Sequence, residues 1–241
     1  YLSCSTWEER GVLPNIDVGF HNAGAVLFGV KDYVPALMAY VERYGINLNF
    51  ESTLVAVDGP AKRATFKEKN GEITRSFDML HVTPPQKAPK FIADSPLADK
   101  AGFVEVDQGT MQHVRYPNVF GLGDGGSTPN AKTMAAARKQ APVVTVNLLS
   151  MLKGGEPVAY YDGYGSCPLT VEKGKIVLAE FGYGGKLLPS FPKWIIDGTQ
   201  PARLSWLLKS EALPWIYWNG MLKGHEWLAK PQPIEHVRQA A

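Results

Sequence analysis

The alternation of apolar and polar residues near the start of the chain predicts a helix packed on a sheet. Between residues 31 and 44, apolar side chains recur at the spacing of one helix face, and Gly45 follows as a helix-ending residue. A strand is predicted directly after the helix, at residues 46–57. This alternation of helix and strand is typical of a doubly wound α/β sheet. The apolar positions of the helix are Tyr33, Leu37, Tyr40, Val41 and Tyr44.

The pattern farther along the chain extends this α/β prediction. Two short strand patterns, at 64–69 and 73–77, flank Asn70-Gly71, a pair suited to a tight turn, so a hairpin is predicted there. A helix is predicted at about 132–152, with Pro142 introducing a kink. Pro201 and Pro214 divide the last segment into two short helices. Further short strands are predicted at 79–83, 103–106, 119–124 and 176–181.

Composition excludes several classes of protein. The chain has 241 residues, of which 45% are apolar and 20% charged, values typical of a globular protein. Lys and Arg number 25 against 23 Asp and Glu, and the formal charge of +2 is too small to indicate a nucleic-acid partner held by charge. No uninterrupted apolar stretch of about 18 residues occurs, so no membrane-spanning helix is predicted.

Cysteine and histidine spacing does not indicate a metal site or a disulfide framework. The chain has two cysteines, Cys4 and Cys167, and neither has a second cysteine at metal-ligand spacing. The five histidines are scattered, without the spacing of a metal site. The chain starts at Tyr1 with no signal-peptide pattern, so we expect a fragment or a processed chain.

A glycine-rich turn at Gly121-Leu-Gly123-Asp124-Gly-Gly126 is the first candidate functional feature. It follows a predicted strand and precedes a helix, which is the context of a dinucleotide-binding fingerprint. Four further residues delay the helix, however, and the Asp124 carboxylate would repel a phosphate. Two interpretations stay open. The turn is purely structural, or Asp124 accepts hydrogen bonds from the ribityl hydroxyls of a flavin while the helix N-terminus faces the flavin ring.

The two cysteines have different surroundings in the sequence. Cys167 lies in a loop rich in glycine and tyrosine and is followed by Pro168. A lone cysteine is ordinarily an inert, buried small residue, and spacing alone favours that interpretation over a reactive thiol. Cys4 lies among small hydroxyl residues near the start of the chain and is expected to be an exposed, incidental thiol.

The last part of the chain is rich in tryptophan. Five of the six tryptophans lie within residues 194–227, with leucines and lysines between them. Interleaved apolar, aromatic and basic residues are typical of helices that lie in a membrane headgroup region. An aromatic core or a dimer interface is the alternative.

Several long strings of the sequence resemble the C-terminal part of the sulfide:quinone oxidoreductase family, which includes mitochondrial members. This family belongs to the FAD-dependent pyridine nucleotide-disulfide oxidoreductases, whose Rossmann-like fold has two dinucleotide-binding domains. The similarity covers nearly the whole chain. The strings that carry it are Leu80-His81-Val82-Thr83-Pro84-Pro85, Arg115-Tyr116-Pro117-Asn118-Val119-Phe120-Gly121-Leu122-Gly123-Asp124, Ala131-Lys132-Thr133, Tyr161-Asp162-Gly163-Tyr164, Ser166-Cys167-Pro168-Leu169 and Leu178-Ala179-Glu180-Phe181.

The resemblance implies an enzyme that oxidises hydrogen sulfide to sulfane sulfur or polysulfide and reduces a membrane quinone. It implies FAD as the cofactor and Cys167 as one of two redox cysteines, with the other outside this chain. The implied flavin contacts are Gly123, Asp124, Lys132 and Thr133. Aromatic composition makes Phe181, Tyr217 and Trp218 candidates for the quinone site.

The resemblance also implies a domain organisation and a location. It assigns 1–85 to the second, NADH-type nucleotide-binding domain and 86–155 to the C-terminal portion of the FAD domain. It assigns 156–193 to the redox-cysteine and quinone region and 194–241 to amphipathic helices on a membrane surface. The resemblance implies a peripheral protein of the bacterial or mitochondrial inner membrane, and it is compatible with a homo-oligomer. Two alternatives stay open: a type-II NADH:quinone oxidoreductase, which would not need Cys167, and a non-catalytic interaction module.

Overall fold

Three stretches of sequence form the first of two structural units in the computed structural model, which describes residues 1–225, 227 and 229–234. These stretches are Tyr1–Pro85, Leu169–Val177 and Thr199–Trp206. The second unit comprises Gln86–Pro168, Leu178–Gly198 and the described residues from Leu207 onward. The chain therefore passes between the units more than once.

Helix and strand alternate at the start of the first unit, as predicted. The elements are helix α1 (Leu2–Glu9), strand β1 (Gly19–His21), helix α2 (Val34–Arg43) and strand β2 (Asn47–Asn49). β1 and β2 pair in parallel, as strands joined by a crossover helix do. The helix predicted at 31–44 is confirmed: a 3-10 turn leads into α2, and Gly45, with φ +62°, follows its end. Its buried face contains Ala36, Leu37, Tyr40 and Val41.

The single strand predicted at 46–57 is wrong, because the chain turns in its middle. After β2, strand β3 (Thr53–Asp58) joins a separate antiparallel sheet with β4 (Arg63–Glu68) and β5 (Gly71–Ser76). Between β2 and β3, Glu51 has a left-handed φ of 51°. The buried Ser52 hydroxyl forms hydrogen bonds with His21 and Glu68. Hydrophobic alternation reveals neither of these local constraints.

The hairpin predicted around Asn70-Gly71 is confirmed with its turn shifted by one residue. Glu68 pairs with Gly71, so the turn residues are Lys69 and Asn70. Gly71 begins β5 with φ 123°, a conformation that favours glycine.

The buried strand predicted at 79–83 is wrong. This segment is irregular, and the side chains of Met79 and Val82 are 66% and 44% exposed. Pro84 and Pro85 follow directly, and proline lacks the N–H that a strand ladder uses and restricts the residue before it.

The second unit is organised around one long helix. Helix α3 (Lys90–Ala93) precedes helix α4 (Met134–Leu152), which confirms the helix predicted at 132–152 and has Pro142 inside it. Strand β6 (Ala159–Tyr160) follows, and strands β7 (Gly165–Glu172) and β8 (Lys175–Phe181) form a two-stranded sheet with residues in both units. β8 confirms the strand predicted at 176–181. The strands predicted at 103–106 and 119–124 are present as isolated bridges, at Val104, Val106 and Phe120.

A small core and one buried asparagine hold α4 in the second unit. The buried core residues are Val106, Met111, Val143, Ala159 and Tyr161. Asn147 on α4 is fully buried, and its Nδ2 donates to the carbonyl oxygens of Thr110 at 2.9 Å and Ala159 at 3.0 Å. Its Oδ1 accepts from the backbone N–H groups of Val158 and Ala159, each at 2.8 Å. The asparagine thus replaces a strand partner for the segment that follows the helix.

The last described segment consists of short helices with exposed tryptophans. Helix α5 (Arg203–Leu207) leads through a π turn at Leu208–Ala212 into helix α6 (Leu213–Asn219), and strand β9 (Gln232–Pro233) pairs with β6. Pro214 lies in the first turn of α6, where its missing N–H costs no helix bond. The side chains of Trp194, Trp215 and Trp218 are 84%, 60% and 64% exposed, so they do not form an aromatic core. Among the described residues, no helix combines the length and apolarity needed to cross a membrane.

Candidate functional site

The glycine-rich turn is held by close packing and by one buried glutamine. A Cβ atom on Gly121 would lie 3.0 Å from side-chain carbons of Val104 and Val106, so only glycine fits there without displacement. Gly123 has φ +65° and begins a 3-10 turn, Gly123–Gly125. Its backbone N–H donates to Oε1 of the buried Gln140, on α4, at 2.6 Å. The turn is therefore fixed against the helix that follows it.

Asp124 presents a carboxylate at the exposed side of this turn. In the described part of the chain the carboxylate forms no hydrogen bond or ion pair. Lys132, which precedes α4, donates from Nζ to the carbonyl oxygen of Gly126 at 2.6 Å and lies 4.1 Å from the centre of the Phe103 ring. Burial lowers the pKa of Lys132, and the Asp124 charge opposes that shift. The lysine thus stabilises the turn, while the Asp124 carboxylate stays available to hydroxyl donors.

The N-terminus of α4 lies beside the start of β7. Thr133 caps the helix, its hydroxyl accepting from the Ala136 N–H at 3.2 Å. A Cβ atom on Gly165 would lie 3.8 Å from both the Thr133 hydroxyl and the Ala131 carbonyl oxygen. The start of β7 therefore lies close to the end of α4 at which the helix dipole is positive.

Cys167 lies two residues beyond Gly165 on β7, so it shares the strand face that Gly165 presents to the N-terminus of α4. It is a free, half-buried thiol, and burial raises its pKa. The side chain of Cys167 is therefore partly exposed to solvent.

Cys4 differs from its prediction. The expectation of an exposed thiol is wrong, because Cys4 is 2% exposed in α1 of the first unit. Burial raises its pKa, in keeping with an inert structural cysteine. Small hydroxyl neighbours in sequence misled the prediction, since the helix turns Cys4 and Ser5 inward together.

The candidate aromatic residues occupy two different places. Phe181 is buried at the end of β8, and its ring would lie 3.8 Å from a Cβ atom on Gly165, on the same side as Thr133. Tyr217 and Trp218 lie on α6, where their rings form an edge-to-face pair 5.0 Å apart. Phe181 is therefore placed with the candidate site, whereas the other two residues belong to the exposed tryptophan-rich segment.

Two residues that support the site were missed in the sequence. Gln140 anchors the glycine turn, and Tyr161, fully buried, accepts from Asn130 Nδ2 at 2.5 Å and donates to the Tyr164 carbonyl oxygen at 2.6 Å. Asn130 lies in the loop before α4, so Tyr161 ties this loop to the segment that leads into β7. The residue type gives no signal, because glutamine is usually exposed on a helix. The spacing gives one, because Gln140 lies four residues after Ala136 and so shares its buried helix face.

The residues present fit a flavin. An unpartnered carboxylate on a glycine turn suits a polyol chain, and the N-terminus of a 19-residue helix suits a ring that carries negative charge when reduced. Within the described residues, no group of three or more His, Cys, Asp or Glu side chains is placed to hold a metal ion.

The described residues form an α/β fold that matches part of larger solved proteins. The sulfide:quinone oxidoreductase of the bacterium Aquifex aeolicus shares the fold, with a TM-score of 0.69, 14% identity, and coverage of 96% of this chain and 58% of that chain. The predicted α/β, Rossmann-like class is thereby confirmed. A chain in the mitochondrial ATP synthase F1Fo tetramer of Tetrahymena thermophila is also similar, with a TM-score of 0.70, 26% identity, and coverage of 94% and 53%.

Sequence comparison identifies the particular relatives, and the predicted resemblance is confirmed. Mitochondrial sulfide:quinone oxidoreductase of Dictyostelium discoideum is 43% identical over 224 residues, 92% of this chain and 48% of the relative. The Schizosaccharomyces pombe and Mus musculus proteins of the same name are 41% and 37% identical over 227 and 228 residues, 92% and 93% of this chain and 50% of each relative. No family model matches the chain. The chain thus spans about half the length of the curated relatives it matches.

Proposed function

We propose that this chain forms the C-terminal part of a flavoprotein that oxidises hydrogen sulfide to sulfane sulfur and reduces a membrane quinone. The single observation that carries the proposal is that Cys167 shares a face of β7 with Gly165, which lies near Thr133 at the start of α4. The names of the relatives, which align over more than nine-tenths of the chain, supply the substrate class.

FAD is the proposed cofactor. Gly123 and Asp124 would hold its ribityl chain, with the Asp124 carboxylate accepting from hydroxyl groups. Thr133 and the N-terminus of α4 would place positive potential beside the ring, and Lys132 would keep the glycine turn in shape through the Gly126 carbonyl oxygen. When bound, FAD accepts two electrons from reduced sulfur and passes them to a quinone.

Cys167 would carry sulfur as a persulfide. In this proposal it begins in a disulfide with a cysteine outside this chain. Hydrosulfide attacks the Cys167 sulfur, the S–S bond breaks, and the other cysteine leaves as a thiolate that takes up a proton, while Cys167 keeps the incoming sulfur as a persulfide. The limited exposure of Cys167 would slow competing hydrolysis and oxidation of that persulfide.

The quinone end of the site would lie at a membrane surface. Phe181 would supply an apolar wall beside the cysteine, and Tyr217 and Trp218 would line the route from the bilayer. The exposed tryptophans of 194–241 and the lysines between them suit a headgroup region. Because the relatives are mitochondrial, we place the parent protein peripherally on the mitochondrial inner membrane.

The proposal is tested by anaerobic stopped-flow absorbance of the full-length protein at the flavin band, at about 450 nm. Sulfide should bleach the band, and NADH should not. In Cys167→Ser, bleaching by sulfide should fall by about a thousandfold or more while flavin content is retained, because serine cannot hold a persulfide. The matched control, Cys4→Ser, removes the other thiol of the chain and should bleach at the unaltered rate.

Each other result selects a different function. Bleaching by NADH alone would assign the chain to the type-II NADH:quinone oxidoreductase alternative. A full-length protein that binds no flavin would favour a non-catalytic interaction module. Sulfide bleaching that survives in Cys167→Ser would remove this cysteine from the mechanism.

A further inference from the structure

β8 contains one acidic residue in an otherwise apolar, buried run. Glu180 is 4% exposed, and its neighbours from Ile176 to Phe181 are buried as well. Burying a carboxylate is costly unless hydrogen bonds replace the lost water. In the described part of the chain, its donors include the Tyr164 hydroxyl and the Ser190 hydroxyl, each 2.5 Å from Oε1, and the Ser190 N–H, 3.1 Å from Oε2.

Tyr164 is the member of this cluster that connects it to the candidate site. Burial and the Glu180 charge both raise the pKa of Tyr164, so the phenol stays protonated and donates to the carboxylate. Ser166, which directly precedes Cys167, lowers the pKa of the same phenol and therefore lies near it. Lys139 on α4 lies 5.0 Å from the centre of the Tyr164 ring.

The main chain of Tyr164 is fixed as well. Its carbonyl oxygen accepts from the Tyr161 hydroxyl at 2.6 Å, and its N–H donates to Asp162 Oδ1 at 3.1 Å. Tyr161 in turn is bound by Asn130, in the loop before α4. Both the side chain and the backbone of Tyr164 are therefore held immediately before β7 begins.

The two faces of β7 thus have different neighbours. Gly165, which lies near Thr133 at the start of α4, shares one face of the strand with Cys167, whereas Ser166 alternates to the other face. When hydrogen bonds hold the start of β7 on one face, the side chains on the opposite face have less freedom to move.

We propose that Glu180 is a positioning residue for Cys167: through Tyr164, its carboxylate fixes the start of β7 and so limits movement of the thiol on the strand face that Cys167 shares with Gly165. The proposal rests on the proposed function in that the positioned thiol is the one assigned to sulfur transfer. Glu180 itself contacts neither substrate nor cofactor in this arrangement.

Alkylation of Cys167 in the full-length, reduced protein tests the proposal without using sulfide. Iodoacetamide labelling is followed by peptide mass spectrometry in wild type, Glu180→Gln, Tyr164→Phe and the double variant. Each single variant should speed labelling of Cys167 about fivefold, because one strong hydrogen bond of the clamp is lost. In the double variant no further increase should occur, because Glu180 acts through Tyr164.

The matched control is Glu172→Gln, which makes the same chemical change at the far end of β7, where the carboxylate pairs with Arg43 and Lys175. This variant should leave the labelling rate of Cys167 unaltered. Circular dichroism and flavin content of every variant establish that each is folded, and the Glu180→Gln protein should show slower bleaching by sulfide at unchanged flavin content.

Unaltered Cys167 labelling in both single variants, or effects that multiply independently in the double variant, would overturn the positioning role. That failure is distinct from failure of the proposed function, which would be seen as a wild-type flavin that sulfide does not bleach. The labelling result would still decide whether Glu180 positions the thiol.

Discussion

Asp124 illustrates how a single residue can be identified from its sequence context and then given a physical role. The glycine turn around Asp124 can be predicted from the sequence, because glycines at 121 and 123 favour a sharp bend of the backbone. The structure adds that the carboxylate is exposed and unpaired in the described chain, beside a lysine occupied with the Gly126 carbonyl oxygen. An unpaired acid at a built turn favours a ligand role over a structural one.

Substitution of Asp124 should therefore affect cofactor binding more than folding. We expect Asp124→Ala in the full-length protein to lower flavin occupancy about tenfold, because charge-assisted hydrogen bonds to hydroxyl groups are lost while no internal contact is removed. Flavin released by denaturation, measured by absorbance per mole of purified protein, gives the occupancy. Asp78→Ala, at an exposed residue with one weak surface ion pair, is the control and should keep full occupancy. Equal flavin content in the two variants would remove Asp124 from the binding site.

The residues that sequence analysis missed share one property. Gln140, Tyr161 and Glu180 are polar side chains buried by tertiary contacts, and their partners are distant in sequence. A single sequence contains no record of such pairings, because a polar residue on a helix or strand is expected at the surface. Cys167, in contrast, could be singled out only through the family resemblance, since its own spacing favoured an inert thiol.

At the scale of elements, long periodic patterns predicted structure well and short ones did not. α2, α4 and β8 were predicted at nearly their observed bounds. The strand predicted at 46–57 failed at Glu51 and Ser52, where a left-handed residue and a buried hydroxyl redirect the chain. The strand predicted at 79–83 failed because a run of five residues with only three apolar side chains fits a loop as readily as a strand when prolines follow.

Asn147 on α4 is the residue on which the attachment of this helix to β6 most depends. We expect Asn147→Leu to lower the free energy of unfolding by about 3 kcal/mol, since two carbonyl oxygens and two N–H groups lose their buried partner. Urea denaturation followed by far-UV circular dichroism measures this loss. Thr145→Val, two residues earlier on the exposed side of the helix, should change stability by less than about 0.5 kcal/mol. A similar small effect at Asn147 would contradict the role assigned to its four hydrogen bonds.

For the whole molecule, the tryptophan-rich segment is the feature that relates the chain to its surroundings. Composition predicts helices on a membrane surface, with an aromatic core or a dimer interface as the alternative, and the high exposure of Trp194, Trp215 and Trp218 argues against the core. Within the described residues no helix is suited to spanning a bilayer, so attachment by this segment would be peripheral. Part of the predicted membrane segment, at 226, 228 and 235–241, lies outside the described residues.

Membrane attachment should accordingly depend on exposed indoles rather than on exposed apolar residues in general. We expect Trp215→Ser combined with Trp218→Ser to reduce co-flotation of the full-length protein with liposomes at least about tenfold, because two interfacial anchors are lost. Phe91→Ser, which removes an aromatic residue that is 79% exposed on α3, is the matched control and should float like wild type. Removal of residues 194–241 should abolish flotation. Equal flotation of all variants would exclude this segment as the anchor.

The exposure of the indoles also governs how the protein behaves optically. Indole emission shifts toward the blue when the ring leaves water, and Trp194, Trp215, Trp218 and Trp227 are all more than half exposed before any unfolding occurs. For these four tryptophans, denaturation would therefore change the emission wavelength only slightly. Contact with lipid would change it strongly. Intrinsic fluorescence of these side chains is therefore a weak probe of unfolding. It is a sensitive, label-free probe of binding to a bilayer.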